Sequence, residues 1–256
     1  MVASPQDSAA QLGPRWAVPR ERPLILGHRG ARHAAPENTF AAFDLALTEG
    51  AEGIELDVRM NASGEVMVCH DVTLERVTDG RDRRAVHELT SRECEAVRLA
   101  RDERLPRLVD VLAWAERHQA CVNVEMKSDG RRRRDLVRAV AELTRQRADL
   151  VIVSSFNAAL VAAHALLAPE VPSAWLVESP RLATLAPLVW TGNIAVHPKA
   201  ALVTAERVAR WKSWGRRIHV WTVNDVERAR ELAALGVDCL ISDNPGTLRA
   251  ALPARS

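Results

Sequence analysis

The sequence predicts an α/β fold, a distorted (β/α)8 TIM barrel, on three observations. Its 256 residues match the roughly 250 that one such barrel needs. Eight short apolar runs read as strands buried on both faces, as in parallel sheets. Helix-length amphipathic segments separate most of them, which is the pattern of repeated βα units. A doubly wound open sheet gives the same alternation but usually has fewer strands and a Gly-rich first turn.

Residues 1–20 hold Pro5, Gly13, Pro14 and Pro19 and no continuous apolar run, so they are read as a flexible arm ahead of a barrel over 21–256. The strand runs are 24–26, 53–58, 121–126, 150–154, 173–177, 193–196, 218–223 and 239–242. Apolar residues recur at intervals of three and four in Leu108, Val109, Val111, Leu112, Trp114 and Ala115, and again in Leu136, Val137, Val140 and Leu143. That spacing marks one face of a helix. Arg131–Arg134 is read as the solvated start of the second of these helices.

One interval departs from the alternation. The turn signal Asn61-Ala62-Ser63-Gly64 leads straight into the apolar run 66–69, too short a link for a parallel crossover, so a hairpin is expected. A four-residue loop would place Glu55 opposite His70; a type I turn with Gly64 in a left-handed bulge would shift the partner to Asp71. Residues 72–105 then form a charged insertion, read as a small cap over the barrel mouth. Within it Thr90 and Glu93 form a capping box opening a short helix over 91–99.

With 35 Lys and Arg against 33 Asp and Glu, the net charge is +2, and nothing calls for nucleic acid or an anionic membrane as partner. No run approaches the roughly 20 apolar residues of a membrane span, and no secretory signal is recognisable. The four cysteines show no CxxC spacing; they are read as free thiols of a soluble, cytoplasmic protein.

Reacting groups in such barrels sit at the carboxyl ends of the strands. Those ends supply His28-Arg29-Gly30, Glu55 and Asp57, His70-Asp71, Glu125 and Lys127, Ser155-Phe156-Asn157, His197-Pro198, Trp221 to Asn224, and Ser242-Asp243. Carboxylates converging without a counter-charge raise one another's pKa, so a bound cation is expected. All-oxygen ligation by Glu55, Asp57 and Glu125 suits one Mg²⁺ or Ca²⁺ rather than zinc. The absence of any His-x-His in the sequence likewise speaks against a zinc amidohydrolase barrel. Arg29 and Lys127 can stabilise charge growing on a phosphodiester. His28 and His70 can take up one proton and deliver another. Glu37 is read as orienting Arg29 or a histidine, Asn38 or Thr39 as capping the helix over 40–47, and Trp221 as either core or pocket wall. His197 is open between site and core; His33, His87, His118, His164 and His219 are read as surface or packing residues.

His28-Arg29-Gly30 followed by Pro36-Glu37-Asn38-Thr39 closely resembles the opening of the glycerophosphodiester phosphodiesterases. The resemblance continues through Glu55-x-Asp57, His70-Asp71, Glu125-x-Lys127, Ser155-Phe156, Trp221-Thr222-Val223-Asn224 and Ile241-Ser242-Asp243-x-Pro245. It implies a distorted (β/α)8 barrel that hydrolyses a small glycerophosphodiester to sn-glycerol 3-phosphate and an alcohol. It also implies Ca²⁺ or Mg²⁺ on Glu55, Asp57 and Glu125, His28 and His70 as the acid–base pair, and Arg29 and Lys127 on phosphate. Arg32-His33 in the first loop and Met126 depart from the usual pattern. Rival readings are a lysolipid-cleaving enzyme on the same scaffold, which would call for an apolar groove, and a barrel that binds ligand without turnover.

Overall fold

The computed structural model describes Trp16 and residues 22–129, 132–185 and 195–252. In chain order the strands are β1 (Leu24–His28), β2 (Gly53–Met60), β3 (Val66–Val68), β4 (Cys121–Met126), β5 (Val151–Ser155), β6 (Ser173–Val177), β7 (Ala195–Pro198), β8 (Arg217–Val220) and β9 (Cys239–Ser242). The helices are α1 (Phe40–Thr48), α2 (Ser91–Ala96), α3 (Leu108–His118), α4 (Arg133–Thr144), α5 (Ala158–Leu167), α6 (Pro180–Leu185), α7 (Ala205–Ser213), α8 (Val226–Ala234) and α9 (Pro245–Ala251). Eight strands run parallel in the order β1-β9-β8-β7-β6-β5-β4-β2, and pairing of β1 with β2 closes the ring. The additional strand, β3, lies antiparallel on β2. This is a distorted (β/α)8 barrel.

Alternation along each strand separates two apolar layers. Ile54, Leu56 and Val58 of β2 and Val122 and Val124 of β4 face outward and pack with Phe43 of α1 and Leu112 and Trp114 of α3. The Phe43 and Trp114 rings meet at 5.6 Å, and the Trp114 indole donates to Asp44 at 2.8 Å. Facing inward, Leu24, Leu26, Cys121, Ile152, Ala174, Cys239 and Ile241 form the barrel floor together with Trp16. The same inward rows turn polar at their carboxyl ends, where His28, Glu55, Asp57 and Glu125 stand. Because side chains two apart share a face, one strand supplies both floor and mouth. All four cysteines are buried and none forms a disulfide. No described helix is long and apolar enough to cross a membrane.

The hairpin takes the second of the two expected registers. Val58 pairs with Val68 and Met60 with Val66, which places Glu55 level with Asp71. Gly64 supplies the left-handed residue at φ 91° that a three-residue loop needs. The insertion carries a small core of its own, in which Leu74, Val86, Leu89, Cys94, Val97 and Leu99 pack against Met67 and Cys69. The Thr90–Glu93 capping box is present, but α2 ends at Ala96 rather than 99. Val97 turns extended, and Val97 and Leu99 are buried in that small core. β8 stops at Val220 instead of 223, where the chain breaks from the ladder and Trp221 makes only an isolated bridge to Lys199. Thr39, not Asn38, caps α1, accepting from the Ala42 amide. Of the expected arm over 1–20, all but Trp16 lies outside the described residues; so do 193 and 194 of the sixth run and 130 and 131 ahead of α4.

Leu56 is fully buried between β2 and the helices. Leu56→Ala should therefore lower unfolding stability by about 2–5 kcal/mol, read as a lower urea midpoint with an unchanged slope.

Candidate active site

β1 ends at His28, and the chain leaves it through two left-handed residues, Arg29 at φ 58° and Gly30 at φ 82°. A side chain at Gly30 would strike the backbone of Ala42, so only glycine fits this turn. The turn swings Arg29 across the neighbouring strand. Its amide donates to the Glu55 carbonyl at 2.9 Å, its Nη1 to Glu37 at 2.9 Å, and its Nε lies 3.1 Å from Asp57. Such left-handed, non-glycine residues cluster where function requires an unusual backbone.

Glu55, Asp57 and Glu125 converge on one point, each buried and each offering an oxygen within 4.8 Å of the other two. β2 and β4 produce this directly, since Asp57 and Glu125 are register partners and Glu55 sits two residues back. Lys127 Nζ reaches Asp57 at 2.7 Å and Glu125 at 2.5 Å. Asn38 Nδ2 donates to Asp57 at 3.0 Å. Two cations thus face three carboxylates, and Arg29 is shared with Glu37.

The charges divide unevenly. Burial acts to raise Asp57, but Lys127 and Arg29 together hold it well below the usual carboxylate range. Glu55 is pushed well up by burial and by its neighbours Asp57 and Glu125. Burial and Asp57 likewise push Glu125 up to about 7. The excess negative charge, with oxygen as the only donor type, fits a hard divalent cation. The triad can hold one metal ion.

The two imidazoles are held alike. His28 Nδ1 lies 2.6 Å from Asp243 Oδ1, while its Nε2 is 3.9 Å from Glu55. His70 Nδ1 lies 2.6 Å from Asp71 Oδ1. A carboxylate on Nδ1 keeps a proton there, so Nε2 is the atom that takes up a proton in the neutral ring and gives one up from the imidazolium. Burial lowers the His70 pKa, and Asp57 only partly offsets it. Asp243 is held at about 2, its bonds from His28 and Asn224 outweighing burial. Arg59 donates to the His70 carbonyl from Nε at 2.9 Å and Nη2 at 2.6 Å, fixing the backbone on which that imidazole stands.

These groups open on a cavity of about 290 Å³. Its charged side carries His28, Arg29, Glu55, His70, Glu125 and Lys127; Phe156, Leu176 and Trp221 form an apolar wall. Phe156 meets Trp221 edge-on at 5.4 Å, and the Trp221 indole is pinned to the His197 carbonyl at 2.7 Å.

His28, Arg29, Glu55, His70, Glu125, Lys127 and Trp221 meet at this one mouth, with Asp57 lying just under the cavity rather than lining it. Glu37 stands on Arg29, as expected. Of the two caps expected for α1, Thr39 is the one used; Asn38, at φ 57°, turns back toward Asp57 instead. His197 is buried and stacked on His219 at 4.6 Å, in the barrel and not on the cavity. The sequence assigns no role to Asp243, Arg59 or Arg76, nor to Glu178, which also lines the cavity. Asp243 was recoverable, since closing the barrel sets β9 beside β1 and so brings its end to His28. Arg76 and Glu178 lie on irregular chain, where no periodicity marks them.

Because Glu125 is pushed up to about 7 and Glu55 is raised as well, protons compete with a divalent ion for these oxygens. Mg²⁺ or Ca²⁺ affinity should accordingly fall as pH drops below about 7, with proton release on binding. Calorimetry in buffers of different ionisation enthalpy measures this. An affinity unchanged between about pH 5 and 8 would overturn the ligand set.

Residues 28–247 match the Glycerophosphoryl diester phosphodiesterase family. A glycerophosphodiester phosphodiesterase of Caldanaerobacter subterraneus subsp. tengcongensis is 30% identical over 237 residues, covering 88% of this chain and 96% of that relative. Among solved structures, an Oleispira antarctica phosphodiesterase in complex with the product sn-glycerol-3-phosphate superposes with a TM-score of 0.82 at 25% identity, over 90% of this chain and 96% of that one. A glycerophosphodiester phosphodiesterase of Agrobacterium tumefaciens gives a TM-score of 0.77 at 30% identity, over 90% and 98%. The chain therefore belongs to the glycerophosphoryl diester phosphodiesterase family, and it is a phosphoric diester hydrolase.

Proposed function

We propose that this enzyme cleaves small glycerophosphodiesters to sn-glycerol 3-phosphate and an alcohol. In this reading it uses one divalent cation, Mg²⁺ or Ca²⁺, on Glu55, Asp57 and Glu125, and two histidines, His28 and His70. The observation that carries the reading is the pair of imidazoles at one acidic cluster, each anchored through Nδ1 by its own carboxylate. The product found with the Oleispira antarctica phosphodiesterase supports the substrate class.

The cation, when bound, supplies positive charge against the phosphoryl oxygens and lowers the cost of the charge that builds there. Arg29 adds a guanidinium beside it and Lys127 an ammonium. His28 Nε2 removes the proton from the attacking oxygen, either a water or the neighbouring glycerol hydroxyl; the latter gives a cyclic phosphate, which a water then opens to sn-glycerol 3-phosphate with the two histidines exchanging roles. Asp243 stabilises the imidazolium so formed. His70 enters the step as the imidazolium, which Asp71 stabilises and orients through Nδ1, and gives its Nε2 proton to the departing alcohol oxygen. Phe156 and Trp221 give the carbon face of glycerol an apolar wall and keep water from that side. A cytoplasmic setting belongs to the same proposal, supported by four buried cysteines without a disulfide.

Purified enzyme should release sn-glycerol 3-phosphate from glycerophosphocholine, and a chelator should stop it until Mg²⁺ or Ca²⁺ is restored. His28→Ala and His70→Ala should each lower kcat by about 10²–10⁴-fold. Full turnover by His28→Ala would end this mechanism.

A further inference from the structure

The insertion sends one side chain back to the site. Arg76 Nε donates to Asp71 Oδ2 at 2.6 Å. Its Nη1 and Nη2 donate to the two oxygens of Glu37 at 2.9 and 2.7 Å. The other oxygen of Asp71 holds His70 Nδ1, and Glu37 also receives Arg29. One chain of charge-assisted bonds therefore runs His70–Asp71–Arg76–Glu37–Arg29, from an imidazole to the guanidinium that reaches Asp57.

An exposed ion pair usually contributes little, and Arg76 is half exposed. Its geometry is different in kind. All three guanidinium nitrogens are used, with a fork on Glu37, whose side chain is only 10% exposed. A planar fork fixes orientation in a way a point charge does not. The two carboxylates also depend on Arg76 unequally. Glu37 keeps Arg29 and Arg32 if Arg76 is lost. Asp71 has no cation other than His70 and Arg76 among the described residues. Meanwhile the His70 backbone stays fixed by Arg59, so losing Arg76 frees the ring and not the chain that carries it.

We propose that Arg76 is a positioning residue for proton delivery by His70: it clamps the Asp71 carboxylate so that the imidazole's Nε2 stays aimed at the leaving oxygen. The proposal rests on His70 being the acid. Proton transfer requires hydrogen-bond reach, and small misplacements of a reacting group are costly. The bond broken is phosphorus to the alcohol oxygen, whose electron pair takes the His70 proton. A leaving group that departs without a proton has no use for this arrangement.

Leaving-group dependence therefore tests it. The kcat on glycerophosphocholine, which releases an aliphatic alcohol, is compared with kcat on the p-nitrophenyl ester of glycerol phosphate, which releases a phenolate. Arg76→Ala should lower the ratio of the two by about tenfold or more, with KM nearly constant on both. His70→Ala should shift the ratio in the same direction and further. Arg76→Lys, which keeps the charge without the fork, should fall between, and it decides the matter if the alanine variant does not fold. If His70→Ala is selective and neither Arg76 variant is, or if Arg76→Ala raises KM alone, Arg76 has no part in positioning the acid. If His70→Ala itself slows both esters equally, the reading of His70 as acid fails, and the role of Arg76 fails with it.

Discussion

Three carboxylates buried at the end of two adjacent strands repel one another, and nearly everything at this barrel mouth answers that repulsion. Lys127 lies between Asp57 and Glu125, and Arg29 is carried across by a left-handed turn to reach Asp57. Even so, Glu55 and Glu125 remain raised. Burial without full compensation is expensive, and it persists where a ligand completes the balance. In the function proposed above, a divalent cation would supply the positive charge that the protein's own cations do not.

The barrel makes this affordable by separating duties along each strand. Inward residues near the strand starts are apolar and close the floor, while inward residues at the ends carry charge. Outward residues are predominantly apolar and bury the helices. The charged groups are thus set on rigid ladder positions over a packed plug. Asp57 and Glu125 keep their spacing because Leu56 and Met126 beside them are locked into the outer core. Stability and function are read from the same strands by alternate residues.

That alternation explains how much was legible beforehand. Glu55-x-Asp57 and Glu125-x-Lys127 sit inside apolar runs, and a period of two turns such spacing into a shared face. His28 and His70 stood at strand ends, where barrel geometry gives them a common destination. What escaped were features decided by irregular chain or distant closure. Asn38 and Thr39 both precede a helix, and the sequence does not say which caps it; the left-handed backbone at Asn38 turns it to Asp57 and leaves the cap to Thr39. Trp221 read as part of a strand, but the ladder ends at Val220 and releases the indole to the cavity wall. Arg76 lies on chain without periodicity, and only the folded insertion shows where it points.

The two histidines also differ in what stands behind their carboxylates. Asp243 comes from the end of β9, beside β1, and Asn224 ties it to the segment after β8 with bonds of 2.8 and 2.9 Å. His28 is thus aligned by closure of the barrel itself. Asp71 lies at the start of the insertion and is held by Arg76 from within it. His70 is aligned by an addition to the barrel, not by the ring of strands. Closing the ring forms the first alignment whatever the insertion does, whereas the second forms only once residues beyond the hairpin have folded onto Glu37 and Asp71. A site that needs both imidazoles is therefore complete only when barrel and insertion are docked, which gives this segment a reason to carry a small apolar core of its own.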